Sequence, residues 1–399
     1  MTVTAIIAEY NPFHNGHGLL VQAARGAGAG GIVAILSGNW LQRGEPALLP
    51  KGERVRAALL SGVDLVLELP LPYAMATAER FAFGGVALAE ALGCVDCLAF
   101  GSETGVLAPL ESCAASLLDP GVDKAIRQGL EKGLSYAAAR QDAVAALFGR
   151  EAAEPLSRPN DILAVQYLYE LQRRGSGIQP FTIPRQGAGH HDRVPDRKAA
   201  TASATWIREQ FLAGERAALS PYLPEASRAA LEKAAETGRW AHPERLELPL
   251  LAVLRRMSPK EYAALPDLSE GLENRLAAAV KEARSLREVL ERAKTKRYSH
   301  ARLRRLLLAA YLGIPQTAAW QPPPYLRVLG MNATGRQILS RAKETASLPI
   351  SHSLARLEHL GGTAGEFAKL EAQAADLYQL LYPEPLSCGT DYTNGIIMI

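Results

Sequence analysis

The amino-acid sequence predicts an α/β protein, with a parallel sheet in residues 1–215 and a mainly α-helical domain over 216–399. Two observations carry this expectation. As far as Ile183, short apolar runs alternate with helical patterns of about a dozen residues, the spacing of right-handed crossovers between parallel strands. Beyond about Leu212, proline-containing turns separate helical stretches, and strand character returns only at Tyr325–Leu329.

The first strand, Val3–Ala8, empties into Glu9-Tyr10-Asn11-Pro12-Phe13-His14-Asn15-Gly16-His17, and a helix follows from about His14 to Ala27. His14 and His17 stand three apart at its first turn, on one face, beside unpaired backbone N–H groups and the positive end of the helix dipole. Such a place attracts phosphate, and Gly16 lets phosphates approach the backbone closely. A lone histidine there would read as a loop residue; the order strand, turn, H-x-G-H and helix makes that the minority reading.

The glycines of Gly26-Ala27-Gly28-Ala29-Gly30-Gly31 satisfy G-x-G-x-x-G but close a helix and precede a strand, so they read as a C-cap and turn. The second strand, Ile32–Leu36, ends in the polar loop Ser37 to Pro46, which includes Gln42-Arg43-Gly44-Glu45 and is of the kind that lines a site in an open sheet. A helix at Lys51–Leu60 leads to a third strand in Asp64–Pro70, nearly continuously apolar as a strand covered on both faces should be. A helix at Ala76–Leu92 and a fourth strand, Cys97–Phe100, follow, ending in Gly101-Ser102-Glu103-Thr104-Gly105.

Pro159, Asn160 and Asp161 open a further helix, and helix-start chemistry alone accounts for both polar residues. A fifth strand, Gln179–Ile183, runs into Pro184-Arg185-Gln186-Gly187-Ala188-Gly189-His190-His191-Asp192. At the next helix start, Ser203, Thr205 and Arg208 offer two hydroxyls and a guanidinium, a second phosphate cradle.

Composition bounds the function classes. The chain has 399 residues, 48% hydrophobic and 21% charged, with a net charge of +3. No secretory pattern and no apolar run of membrane-span length is present, so a cytoplasmic protein with no membrane partner is expected. Cys94 and Cys97 form a single C-x-x-C without the second half of a zinc site, and Cys97 begins an apolar run, so both are expected to act as small hydrophobes. Between Lys281 and Arg305, ten Lys or Arg face three Glu, a local net of +7 that leaves the remainder at −4. Such a run is commonly a solvated helix face, but Tyr298 and His300 interleave it and make contact with a phosphate backbone an equal reading, Arg302, Arg304 and Arg305 included.

Neither G-x-x-x-x-G-K-[ST] nor G-x-S-x-G appears, which leaves nucleotidyl transfer on ATP, stabilised by position and charge without a covalent nucleophile. His14 and His17 would then donate to phosphate oxygens as charge builds on the α-phosphorus and the departing pyrophosphate.

His14-Asn15-Gly16-His17 resembles the H-x-G-H signature of the nucleotidylyltransferase superfamily, and Ser203-Ala204-Thr205-Trp206-Ile207-Arg208 is similar to its second motif, with Ala202 and Ala204 where Ile or Ser is frequent. Ala8 to His17, Ser37-Gly38-Asn39 with Gln42 to Ala47, Asp64 to Pro70, Phe100 to Glu103 and Arg185 to Gly189 together resemble the bacterial tRNA(Met) cytidine acetate ligase family. The resemblance covers roughly the first 210 residues in order; the remainder matches in length and helical character. It implies a Rossmann-like, HUP-type nucleotidylyltransferase domain that activates acetate with ATP as acetyl-adenylate. The acetyl group then passes to N4 of the wobble cytidine of elongator tRNA(Met), with release of AMP.

The ATP site implied by resemblance is Ile7, Ala8, Glu9, Tyr10, Asn11, Pro12, Phe13, His14, Asn15, Gly16, His17, Gly18, Leu19 and Leu20, then Gly101, Asn160 and Arg185, joined by Ser203, Thr205 and Arg208. Mg2+ is expected to accompany ATP, and no metal-ligating set of side chains is expected. Arg43 and Glu45 are placed by location to meet the cytidine, although a structural ion pair explains them almost as well. Two other readings stay open from the residues alone: an adenylyltransferase acting on a small phosphorylated acceptor, and a non-catalytic nucleotide-sensing RNA-binding protein.

Overall fold

A computed structural model describes residues 1–185, 200–268 and 271–399. In chain order its strands are β1 (Val3–Ala8), β2 (Gly31–Ser37), the short pair β3 (Trp40–Leu41) and β4 (Glu45–Pro46), β5 (Leu65–Leu69), β6 (Cys97–Ser102), β7 (Gln179–Pro184), β8 (Leu326–Met331), β9 (Ile350–Ser351) and β10 (Ile397–Met398). The helices that position the site are α1 (Asn15–Gly26), α2 (Lys51–Leu60), α3 (Pro159–Arg174), α4 (Ala204–Leu212) and α5 (His300–Leu312).

One eight-stranded sheet has the order β10-β8-β5-β2-β1-β6-β7, with β9 beside β8. Its α/β class and parallel core are as expected: β5, β2, β1, β6 and β7 pair in parallel. Ala8 lies opposite Leu36, and Ser102 opposite Pro184, so the loops that follow these strands open along one edge of the sheet. Along β1, β2 and β5 the side chains alternate between two apolar layers. Val3, Ala5, Val33, Ile35, Leu65 and Leu67 enter one, and Ile6, Ile32, Ala34, Leu36 and Val66 the other, which is why these strands read as unbroken apolar runs.

The sheet also crosses the expected boundary at residue 215. Strand β8 comes from the part expected to be mainly helical and lies antiparallel to β5, while β9 and β10 pair with β8. The open edge of β5 is apolar and needs a partner, and β8 supplies it with buried Leu326 and Val328. Four buried charges fix this union. Lys51 Nζ lies 2.6 Å from Glu68 Oε1 and 2.8 Å from Asp391 Oδ2, and Arg327 Nη1 lies 2.7 Å from Glu68 Oε2 and 2.8 Å from Asp391 Oδ2. Nearby Glu371 is also buried and accepts the Leu71 N–H.

The glycine-rich stretch 26–31 behaves as a helix end and turn, as expected. Ala27 is the C-cap, Gly28 has φ +99°, and Gly31 begins β2. At Gly44 the requirement is contact as well as conformation: φ is +70°, and a Cβ would stand 2.5 Å from the Arg305 backbone nitrogen, so only glycine lets α5 close on the β3–β4 turn.

Candidate active site at the H-x-G-H helix start

Strand β1 ends two residues before the turn into α1, and Tyr10 makes that turn with φ +47°, a conformation that costs a non-glycine residue about 1–2 kcal/mol. Packing holds it there: the Tyr10 ring centroid lies 4.7 Å from that of Phe13 and 4.9 Å from that of His17. His14 is the N-cap of α1. Its Nδ1 accepts the Gly16 N–H at 3.1 Å, while His17 Nδ1 accepts the His14 N–H at 3.2 Å, a capping box made from two imidazoles. The rings stack with centroids 3.8 Å apart.

These bonds settle the protonation state. Each Nδ1 accepts, so the remaining proton of each neutral ring sits on Nε2. Burial, then the nearby charges of Arg185 and Arg208, pushes the His14 pKa down to about 3. Burial, then His14 and Arg185, holds His17 well below the ordinary value. The helix start therefore presents two fixed N–H donors at neutral pH.

Around them the structure brings together several of the expected residues. Arg185 Nη1 donates to Asn160 Oδ1 at 2.8 Å, and Asn160 donates through Nδ2 to Glu103 Oε1 at 2.9 Å. Gly101 leaves room for that arrangement, since a Cβ there would stand 3.1 Å from Arg185 Cγ. Asn160 is in the first turn of α3 without capping it, and holds the Arg185 guanidinium, whose charge acts on both histidines.

The second cradle is arranged otherwise than expected. Ser203 caps α4, its hydroxyl accepting the Trp206 N–H at 3.1 Å. Arg208 pairs with Glu45 at 3.0 Å and donates to the Asn11 carbonyl at 3.1 Å, with Thr205 Oγ1 3.5 Å away. Arg208 therefore steadies the β1–α1 turn while placing its charge beside His14. Asn15 donates to the carbonyls of Ala200 and Pro221 at 2.9 and 3.0 Å. With Phe13, Gly18 and Leu19 it lines a separate cavity of about 510 Å³ whose lining contains neither histidine. Ile7, Ala8 and Leu20 contribute packing against the apolar layers. Gln186 to Asp192 lie outside the described residues.

Three residues that hold this arrangement are absent from the expected site residues. Arg54 is fully buried, has no carboxylate partner among the described residues, and donates to the carbonyls of Glu9 at 2.6 Å, Ser37 at 3.1 Å, Leu49 at 3.1 Å and Gly38. Asp161, also fully buried, accepts the N–H groups of Glu103 at 2.6 Å and Thr104 at 3.1 Å, shaping the loop after β6. Glu103 in turn holds Asn160. Helical spacing would have placed Arg54 beside the apolar Val55 and Ala58, a buried charge that announces a partner.

Three arginines of the basic segment also differ from expectation. Arg302 donates to the Asp267 carbonyl at 2.6 Å, Arg305 lies 3.3 Å from Asp267 Oδ2, and Arg304 donates to the Arg43 carbonyl at 3.2 Å. Arg304, and Arg305 through the Gln42 carbonyl, anchor α5 to the β3–β4 turn, while Arg302 and Arg305 tie it to Asp267. Lys281, Arg284, Lys294, Lys296 and Arg297 are exposed and lack an ion-pair partner among the described residues. Cys94 is buried and Cys97 half-buried, and burial raises the pKa of each, which suits small hydrophobes and not reactive thiols. Among the described residues no group of three His, Cys, Asp or Glu could hold a metal ion, and no helix is long and apolar enough to cross a membrane.

Comparison with known proteins agrees with this geometry. The model of the family described as HIGH Nucleotidyl Transferase matches residues 1–391. The tRNA(Met) cytidine acetate ligase of Thermoanaerobacter sp. (strain X514) is 35% identical over 100% of both chains, and that of Listeria monocytogenes serotype 4b (strain F2365) is 40% identical over 88% of this chain and 89% of its own. A crystal structure of Thermotoga maritima TmcAL bound with alpha-thio ATP superposes with a TM-score of 0.93 at 31% identity, covering 100% of this chain and 99% of the other. Its apo form gives 0.94 at 32% identity over 100% of both chains. The chain belongs to the HIGH nucleotidyl transferases and, within them, to the tRNA(Met) cytidine acetate ligase family.

Proposed function

We propose that this protein is an ATP-dependent ligase that acetylates N4 of the wobble cytidine in elongator tRNA(Met). The observation that carries the reading is the pair of neutral, stacked imidazoles, each with its Nδ1 occupied and its Nε2–H without a partner among the described residues. Two such donors at a helix N-terminus, with Arg185 and Arg208 nearby, suit a triphosphate whose α-phosphorus gains charge as acetate attacks. An acetate oxygen forms the new P–O bond, the bond to pyrophosphate breaks, and acetyl-adenylate remains. The cytidine amine then takes the acetyl group, and AMP leaves.

Mg2+ is proposed to arrive with ATP, held by phosphate and water oxygens, since hard cations of this kind need few protein ligands. For the acceptor, Arg43 is the better placed of the two loop residues, because Glu45 is committed to Arg208 whereas the Arg43 side chain has no ion pair among the described residues. Residues 216–399 are proposed to help hold tRNA through the exposed cations between Lys281 and Arg297. A cytoplasmic location is proposed with this substrate.

The test is a reaction of purified protein with ATP, labelled acetate and tRNA(Met), read by nucleoside mass and by nucleotide products. N4-acetylcytidine with release of AMP is expected. AMP retained on a small acceptor would favour the adenylyltransferase reading, and no acetate-dependent exchange of pyrophosphate into ATP would favour a non-catalytic one.

A further inference from the structure

Acetyl transfer to an amine needs a base, and the histidines are unsuited to the task. Both Nδ1 lone pairs are occupied by backbone N–H groups and both Nε2 atoms carry protons, so neither ring can accept one. The carboxylates around the cleft are committed elsewhere. Glu45 is ion-paired with Arg208, Glu103 holds Asn160, and Asp161 accepts the N–H groups of residues 103 and 104.

Glu9 differs from them. It follows β1 directly, in the turn that delivers His14, and is half-buried. Oε1 accepts the Gln42 N–H at 2.8 Å, which fixes the carboxyl group. Oε2 accepts no hydrogen bond from a described residue, and the side chain keeps partial solvent exposure. The backbone beneath is clamped by Arg54 through the Glu9 carbonyl.

We propose that Glu9 is the general base of the transfer step, a reading that rests on the ligase assignment above. As N4 of cytidine forms its bond to the acetyl carbonyl carbon, one amine proton passes to Glu9 Oε2. The bond from that carbon to the adenylate oxygen breaks with its electron pair leaving on AMP, and the carboxyl proton returns to solvent. The charged and titratable groups facing Glu9 are Arg43 and Glu45 from the β3–β4 turn, Arg208 from α4, Tyr167 from α3 and Arg54 from α2. Burial raises the carboxyl pKa and the Glu45 charge adds to it, while the Gln42 bond and the cations oppose them; the net direction is upward, toward useful basicity at neutral pH.

Glu9→Gln tests this, because the amide oxygen still accepts the Gln42 N–H. Acetate-dependent pyrophosphate exchange reports the first half-reaction and the integrity of the fold, and single-turnover transfer from preformed acetyl-adenylate to tRNA reports the second. We expect transfer to fall by about 100-fold or more beyond whatever loss exchange shows. We also expect the wild-type transfer rate to rise with pH as the carboxyl group ionises, and the variant to lack that rise. Transfer at the wild-type rate, an unchanged pH profile, or equal losses in both half-reactions would overturn the assignment of Glu9 as base. Wild-type protein that exchanges pyrophosphate but makes no N4-acetylcytidine would instead sink the ligase reading, and the proposal with it.

Discussion

Two buried polar regions of the sheet manage charge in opposite ways. Between β5 and β8, Lys51, Arg327, Glu68 and Asp391 form a set of two cations and two anions whose closest approaches are 2.6 to 2.8 Å. Beyond β1 and β6, His14 and His17 are neutral, each ring spends one nitrogen on the backbone, and Arg185 is held by an amide instead of a carboxylate. In the first region each charge faces an opposite one, and only Arg327 Nε of these four side chains is sealed without a hydrogen-bond partner among the described residues. The second keeps donors and positive charge in reserve, as a site for a polyanion must. Burial alone therefore does not distinguish support from function; what distinguishes them is whether the polar atoms have been spent.

Breaking the first region should cost the most. Arg327→Met leaves Glu68 and Asp391 facing Lys51 alone, and a loss of about 3–5 kcal/mol in denaturant stability is expected. Turnover per folded molecule should change little, and a stable but inactive variant would place Arg327 in the site instead. His14→Ala or His17→Ala should do the reverse. Each removes a donor worth about 3 kcal/mol in the transition state, seen as a turnover loss of about 100-fold or more. The cap bond that goes with it costs only about 1 kcal/mol of stability.

A third effect is smaller and depends on pH. Burial, then the Glu68 charge, pushes the Glu371 pKa up from 4.5 to about 8. The folded state therefore retains a proton that the unfolded chain releases, and this contribution to stability, full below pH 4.5, is lost as pH rises toward about 8. Glu371→Gln keeps an acceptor for the Leu71 N–H, and its stability relative to wild type should grow by roughly 2 kcal/mol between about pH 6 and about pH 8. Chemical denaturation at the two pH values measures it. The histidines have the opposite sign: with folded pKa values depressed, they lower stability as pH falls below 6.5, with His14 ceasing to contribute near about 3. Least in energy is the outer surface. Reversing Lys294, Lys296 and Arg297 to Glu should weaken tRNA binding and make its salt dependence shallower by about one for each phosphate left without its cation, with no change in pyrophosphate exchange.

The sequence made legible whatever is written locally. Strands β1, β2, β5 and β6 carry mostly apolar runs and β7 a shorter signal at Phe181 and Ile183, and His14, Gly16 and His17 fall within one helical turn, so their mutual geometry follows from spacing. The joining of β8 to β5 was not legible, since a partner more than two hundred residues away leaves no mark in either segment. Arg54 and Asp161 escaped for the same reason: their partners are backbone groups of distant loops, and a carbonyl or N–H has no residue identity to recognise. Arg302, Arg304 and Arg305 show the converse error. Charge density pointed to an outside partner, whereas the Asp267 and Arg43 carbonyls of the same chain receive two of these side chains.

The seat of α5 on the β3–β4 turn has an evolutionary consequence. Gly44 yields space to the α5 backbone, Arg304 binds the Arg43 carbonyl, and the same turn supplies the Gln42 N–H that fixes Glu9. The two halves of the chain are thus not interchangeable modules. A chimera joining the first half of one relative to the second half of another would inherit a mismatched seam, unless residues 42–44 and 304–305 travelled together.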